Sequence, residues 1–159
     1  MWVPYLITGA ALIFLGFMGM KVSDTGLWYQ NLRKPKWNPP NWAFRLVWRT
    51  LYVSIFFAVG IAWNRATDSQ QTTLFWVTAV NFMLNGLWCF VFFRWRLLGW
   101  TLVETVLLWL SIAAMILVVF PYSALSGWLL FPYLAWVTLS CLLSTSILLK
   151  NPTDRALAS

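Results

Sequence analysis

The chain contains no histidine, only four acidic residues and only two cysteines among its 159 residues. Without histidine and with so few acids, the side chains that hydrolytic and metal sites require are missing, so neither kind of site is expected. Cys89 and Cys141 lie inside apolar runs and form no CxxC motif, which argues against a zinc site and a disulfide framework. The first apolar run has no basic segment before it, so a cleaved signal peptide is not expected.

Charge is also scarce. Charged residues make up 9% of the chain, hydrophobic residues make up 61%, and the mean hydropathy is +0.72. This composition indicates a membrane protein. A net charge of +7 would otherwise suggest a nucleic-acid partner, but the basic residues sit between apolar runs, which is how membrane topology is encoded. The thirteen tryptophans also indicate a membrane protein, because indole rings favour the membrane–water interface.

Five apolar segments provide the roughly 20 residues that a helix needs to cross the hydrocarbon core. They cover residues 3–20, 42–63, 72–93, 98–120 and 127–149. The sequence therefore predicts an all-α membrane protein, a bundle of five transmembrane helices that forms a single domain over residues 1–159.

A long loop, residues 21–41, joins the first and second spans and differs in composition from everything around it. Residues 28–42 read WYQNLRKPKWNPPNW, which combines cations, adjacent prolines and several tryptophans. A loop of this length is usually functional or disordered, and its aromatic content argues against disorder. We therefore expect a structured loop.

The cations are distributed unequally between the two sides of the predicted bundle. Arg65 alone falls on one side, and the other side receives Lys21, Arg33, Lys34, Lys36, Arg45, Arg94, Arg96, Lys150 and Arg155. Cytoplasmic loops carry an excess of Lys and Arg. The predicted orientation places the long loop and the C-terminus in the cytoplasm and the N-terminus outside.

Polar side chains inside a span are costly in lipid and usually face the bundle interior. With 3.6 residues per helical turn, three spans bring polar and aromatic residues to one layer beneath the loop. These residues are Trp48, Tyr52, Asn85, Trp88, Trp100 and Glu104, and Trp136 of the fifth span falls near mid-depth. A mostly aromatic layer with few polar groups is a candidate ligand pocket.

Other interpretations of these polar residues stay open. The asparagines could serve only to hydrogen-bond a neighbouring helix. Glu104 could pair with Arg49 or Arg45 rather than face a ligand. Arg45 is expected to extend to the headgroups, whereas Arg49 lies deeper and is expected to turn inward.

Several stretches together resemble the TspO/MBR family, the tryptophan-rich sensory proteins related to the mitochondrial translocator protein. They are the loop sequence WYQNLRKPKWNPPNW, VWRTLY at 47–52, the N-x-x-W motif at 85–88 with two phenylalanines after it, GWTLVE at 99–104 and PYLAW at 132–136. They occur in family order and cover nearly the whole chain. The combination of W-x-P-P with PYLAW in a chain of five spans is specific.

The resemblance implies a five-helix bundle, commonly a homodimer in the lipid bilayer, whose ligand pocket is capped by the first loop. The ligands it implies are porphyrins and other tetrapyrroles, sterols, and isoquinoline- or benzodiazepine-type drugs, with no cofactor and no metal. The ligand-binding residues carried over are Trp37, Asn38, Trp48, Tyr52, Asn85, Trp88, Trp100, Glu104 and Trp136.

The chain departs from the family pattern at several positions. Cys89 and Phe90 stand where the third span usually has prolines, so a kink there is not assured. The family often has Gly-Pro where this chain has Arg45 and Leu46. Residues 144–146 are Ser-Thr-Ser where the sterol-associated element expects a tyrosine, so sterol binding through that element is not expected.

Three functions are consistent with these residues. The leading hypothesis is a membrane receptor or binding protein for a flat, apolar, partly anionic ligand such as a porphyrin. The resemblance also implies an alternative, light-dependent porphyrin degradation that uses Trp48 and Trp136. The third is a proton-coupled transporter of small molecules in which Glu104 carries the proton.

Overall fold

A computed structural model describes residues 2–23 and 25–152. The helices are α1 (Val3–Val22), α2 (Leu27–Asn31), α3 (Asn41–Arg65), α4 (Asp68–Cys89), α5 (Leu98–Val119) and α6 (Ala124–Lys150), and α4 continues into a π-helical turn, Phe90–Arg94. Within these ranges all regular structure is helical. Arg155, one of the cations assigned above to the cytoplasmic side, lies outside the described residues.

Five of these helices are long and apolar enough to cross a membrane: α1, α3, α4 with its π-helical turn, α5 and α6. The predicted all-α membrane protein with five spans is therefore confirmed. The predicted ends fall within four residues of the observed ends, and the largest difference is at the start of α4. There Thr67 N–H donates to Gln70 Oε1 at 2.9 Å, a capping hydrogen bond that begins the helix before the apolar run starts.

The five spans form a closed ring in the order α1, α3, α6, α5, α4 and back to α1, and α3 and α4 also contact each other across it. Because successive spans run in opposite directions, the α1–α3 loop, the α4–α5 turn and the end of α6 share one side of the bundle. Buried apolar side chains fill the middle of the ring, among them Leu74, Ile112 and Leu130. Apolar side chains also cover the outside, as expected where the solvent is lipid tails rather than water.

The last turn of the third span is wider than an α-helix. Trp95 N–H donates to the carbonyl oxygen of Phe90 at 2.8 Å, a bond that spans five residues rather than four. The chain then changes direction at Arg96, whose φ of 58° is uncommon for a residue other than glycine. The third span therefore ends irregularly although residues 89–94 contain no proline.

The α1–α3 loop contains one element that the sequence analysis treated as loop, the short helix α2. Trp28 and Tyr29 of α2 pack edge-on against Phe92, with ring centroids 5.7 and 6.2 Å apart. The helix is only five residues long, so its own hydrogen bonds could not maintain it in isolation. Its aromatic contacts with the π-helical turn hold it in place.

Gly60 permits the close approach of α1 and α3. A Cβ atom added at Gly60 would overlap the ring of Tyr5. We expect Gly60→Ala to lower the free energy of unfolding by about 1–3 kcal/mol, because overpacking displaces the ring, and to lower Tm by several degrees in detergent. Gly99→Ala is the matched control, since its added Cβ meets no atom within 4 Å. Equal Tm values for the two variants would contradict this account.

Candidate functional site

A network of polar side chains crosses the interior of the ring. Tyr52 OH donates to Asn85 Oδ1 at 3.2 Å, and Asn85 Nδ2 donates to Tyr133 OH at 2.9 Å. Tyr133 OH donates to Asn81 Oδ1 at 3.4 Å, and Asn81 Nδ2 donates to Ser111 Oγ at 2.8 Å. The network therefore links α3, α4, α5 and α6 through side chains alone.

Tyr133 is the centre of this network and is completely buried. Asn81 and Asn85 reach it because residues four apart lie on the same face of α4. Each hydrogen bond of this kind contributes about 0.6 kcal/mol in a membrane protein. Their larger effect is on specificity, since a rotated helix would leave an amide or hydroxyl unpaired in the interior.

Two groups of aromatic rings from α3 and α6 lie beside the network, and we refer to them together as the aromatic wall. The Trp48 ring lies 5.6 Å from that of Tyr52 and 6.1 Å from that of Tyr133. Phe44, one turn earlier on α3, meets Trp136 edge-on at 5.4 Å. The wall runs from the interior of the bundle to the α1–α3 loop.

Trp88 belongs to a second aromatic cluster, directly beneath α2. Its ring is stacked on Phe92 with centroids 5.2 Å apart and an angle of 9° between the planes. Its indole Nε1–H donates to Thr105 Oγ1 of α5 at 3.0 Å. Trp88 therefore joins α4 to α5 and supports the loop through Phe92.

Glu104 is 4% exposed, and neither of its carboxyl oxygens has a hydrogen-bond partner within the described ranges. It shares the buried face of α5 with Thr101, Thr105 and Leu108, so the carboxyl faces the interior of the bundle. The indole Nε1–H of Trp136 is also buried without a partner among those residues. Thr78 Oγ1 and Tyr122 OH are buried without a described partner as well, but of these groups only Glu104 carries an ionisable carboxyl.

Of the two interpretations left open for Glu104, the pairing with Arg45 or Arg49 is not found, and the inward direction predicted for Arg49 is wrong. Arg45 and Arg49 are both exposed. The buried face of α3 includes Leu51 and Ile55. Arg49 precedes Leu51 by two residues, which at about 100° per residue places it almost opposite that face. From an exposed position of this kind a long cationic side chain can reach the headgroups.

Two predicted site residues lie away from the interior. Trp37 of the loop is 50% exposed, and Trp100 of α5 is 58% exposed. Thr101 and Glu104 occupy the buried face of α5, and Trp100 points away from it. Asn38 is bonded within the loop, since Nδ2 donates to the Pro39 carbonyl at 3.0 Å, while its Oδ1 is buried without a partner among the described residues.

The sequence analysis did not select Tyr133, Phe44 or Thr105 as site residues, although all three contact selected ones. Tyr133 precedes Trp136 by three residues, so the helical period alone places the two on one face. Phe44 precedes Trp48 by four residues and could have been found in the same way.

The α1–α3 loop is attached to the far end of the chain by a reciprocal pair of hydrogen bonds. Arg33 N–H donates to Asn151 Oδ1 at 3.1 Å, and Asn151 Nδ2 donates to the Arg33 carbonyl at 3.1 Å. Within the loop, Lys34 Nζ lies 3.7 Å above the Tyr29 ring. Burial raises the pKa of the Tyr29 phenol above its ordinary value, so Tyr29 stays neutral at physiological pH.

The profile of the TspO/MBR family matches residues 5–149. The chain belongs to the TspO/MBR family. Protein CrtK of Rhodobacter capsulatus is 35% identical over 137 residues, which is 84% of each chain. The translocator protein of Homo sapiens is 33% identical over 155 residues, which is 94% of this chain and 91% of the human one.

The tryptophan-rich sensory protein of Cereibacter sphaeroides is 37% identical over 114 residues, which is 70% of this TspO/MBR chain and 68% of the relative. The matches cover most of both partners in each pair. The bundle, the loop and the interior network therefore all lie within the part of the chain that is similar to known TspO/MBR proteins.

The interior network makes a quantitative prediction for this TspO/MBR protein. In a double-mutant cycle of Tyr52→Phe and Asn85→Leu, the coupling free energy should be about 0.6 kcal/mol and at most about 1.7 kcal/mol, because each single variant already breaks the shared hydrogen bond. Unfolding in mixed micelles measures it. Tyr122→Phe is the control, since its buried hydroxyl has no partner among the described residues and its loss should cost nothing. Strictly additive single effects would contradict the network.

The attachment of the loop is tested by Asn151→Ala. Losing two hydrogen bonds worth about 1 kcal/mol each should favour loop opening roughly thirtyfold at most. Trypsin cleavage after Arg33 and Lys36 should accelerate accordingly. Asn64→Ala is a matched control because Asn64, like Asn151, also donates to the carbonyl four residues earlier in its own helix, but at the opposite end of the bundle. Equal cleavage rates in the two variants would refute the attachment.

Proposed function

We propose that this protein is a membrane receptor for tetrapyrroles such as porphyrins, which bind between the aromatic wall and the α1–α3 loop. The observation that carries the proposal is a pair of buried groups without a partner among the described residues: the Glu104 carboxyl on the buried face of α5, and the indole N–H of Trp136, whose ring belongs to the aromatic wall. The α1–α3 loop then serves as a lid over the site.

The aromatic wall suits a flat ligand. Trp48, Tyr52 and Trp136 supply large rigid surfaces, and rings of this kind prefer offset or edge-on contacts with other rings. The same surfaces would accept the fused rings of isoquinoline- and benzodiazepine-type drugs. Ligand pockets of this type combine an apolar wall with a few polar groups that fix orientation.

The polar groups suit a ligand that both donates and accepts hydrogen bonds. A pyrrole N–H would donate to Glu104, and a carboxyl or carbonyl oxygen would accept from Trp136. Satisfying buried groups on binding contributes affinity and discriminates against ligands that lack the matching atoms. Asn85 and Trp88 are already bonded within the protein, so their part is to hold the wall in position.

The cations of the α1–α3 loop are suited to bind a ligand that carries anionic groups along one edge. Arg33, Lys34 and Lys36 lie in the loop, and cations of this type bind the propionate groups of porphyrins through charge-assisted hydrogen bonds. The loop prolines restrict the backbone, so closing it costs less conformational entropy. With the loop on the cation-rich side, the site would open toward the cytoplasm.

Titration with protoporphyrin tests the proposal. We expect saturable binding to the purified protein, followed by the change in porphyrin absorbance and by tryptophan quenching. Trp48→Ala and Trp136→Ala should each weaken binding roughly tenfold, since a lost ring contact and its buried area together amount to about 1–2 kcal/mol.

The matched control is Trp76→Ala, which removes an exposed indole from the first half of α4, the half farther from the α1–α3 loop. Trp100→Ala should behave like this control, because its indole faces outward. Absence of saturable binding, or equal losses in all four variants, would remove the support for a porphyrin site beside Trp48 and Trp136.

A further inference from the structure

A cavity lies at the surface of the bundle, away from the interior network. It has a volume of about 500 Å³ and is lined by Lys21, Val22, Phe90, Phe93, Arg94 and Arg96. It occupies the space between the end of α1 and the π-helical turn. We refer to it as the basic cleft.

The basic cleft holds cations from two different spans. Lys21 is in the last turn of α1, and Arg94 ends the π-helical turn. The Arg94 guanidinium has no hydrogen-bond or ion-pair partner among the described residues, and the Lys21 amine has only a contact of 5.5 Å with the Phe17 ring. Arg96 is already engaged, with its guanidinium 5.2 Å from the Trp28 ring centroid.

The described acids lie far from the cleft or face elsewhere. Asp68 begins α4 at the other end of the span, roughly 35–40 Å away at 1.5 Å per residue. Glu104 is buried inside the ring. Asp24 follows Lys21 by three residues and lies outside the described residues. The three cations that line the cleft outnumber this one acid, so the charge balance favours binding of an anion.

The floor of the cleft is apolar. Phe90 and Phe93 line it and belong to the same π-helical turn as Arg94. A free anion would gain nothing from these rings, whereas the acyl chains next to a lipid headgroup would contact them.

We propose that the basic cleft binds the phosphate of an anionic phospholipid, with Lys21 and Arg94 on the phosphate and Phe90 beside the glycerol and the upper acyl chain. Both cations terminate predicted spans, which is the depth of the headgroup phosphates. Basic pockets between transmembrane helices bind anionic headgroups in this way. The bound lipid would join α1 to α4 at the point where the π-helical turn leaves them apart.

Native mass spectrometry of the purified protein tests this proposal with dioctanoyl phosphatidylglycerol and dioctanoyl phosphatidylcholine as probes. We expect the wild type to bind the anionic lipid at least tenfold more tightly. The double variant Lys21→Gln/Arg94→Gln should lose roughly 25-fold of that affinity, since each cation near an anionic surface contributes about fivefold. The variant Lys21→Arg/Arg94→Lys keeps both charges and should retain the preference.

The control variant is Arg45→Gln/Lys150→Gln, which removes two exposed cations from the same side of the bundle but outside the cleft. An equal loss in this control would overturn the proposal, because it would show a general charge effect. Equal affinity of the wild type for both lipids would also overturn it. Displacement of the lipid by inorganic phosphate at the same molar concentration would show a site for free phosphate and would refute the lipid assignment.

Discussion

Hydrocarbon offers no hydrogen-bond partner to a polar side chain, and this constraint governs the interior of the bundle. Each amide or hydroxyl that enters a span has to find its partner on another span. The phenol of Tyr133 meets that requirement for two asparagines at once, and through them it connects four of the five spans. The positions of Trp48 and Trp136 follow from the same helix orientations, so the aromatic wall depends on the polar network.

The loop extends this arrangement to the membrane surface. Its Trp28 and Tyr29 rings pack against Phe92 of the π-helical turn, and its Arg33 backbone is hydrogen-bonded to Asn151 at the end of α6. These contacts come from elements far apart in the chain, which is why an apolar bundle can carry a polar and basic cap with a fixed shape. Because the α1–α3 loop has two separate attachments, one of them can open while the other stays in place.

Hydropathy and helical period were sufficient to predict the five spans, their ends and the inward positions of Asn85 and Glu104. Hydropathy and helical period failed where contacts with neighbouring helices decide whether a side chain faces the interior or the lipid. Arg49 and Trp100 lie in the right layer but on the wrong face of their helices, because depth along a span does not fix rotation about its axis. The helix α2 could not be predicted either, since its stability comes from contacts with the π-helical turn rather than from its own five residues.

The extra residue in the π-helical turn changes the direction in which the side chains at the end of the third span point. Upstream of it, Asn81 and Asn85 face the centre of the bundle, and downstream the chain is rotated by about 100° relative to an uninterrupted α-helix. Trp88 can therefore touch Phe92 and Phe93 together, at 5.2 and 6.0 Å. Deleting one residue from this turn would restore regular α-helical winding. The part of the span that supports the α1–α3 loop would then be rotated relative to the part that organises the interior.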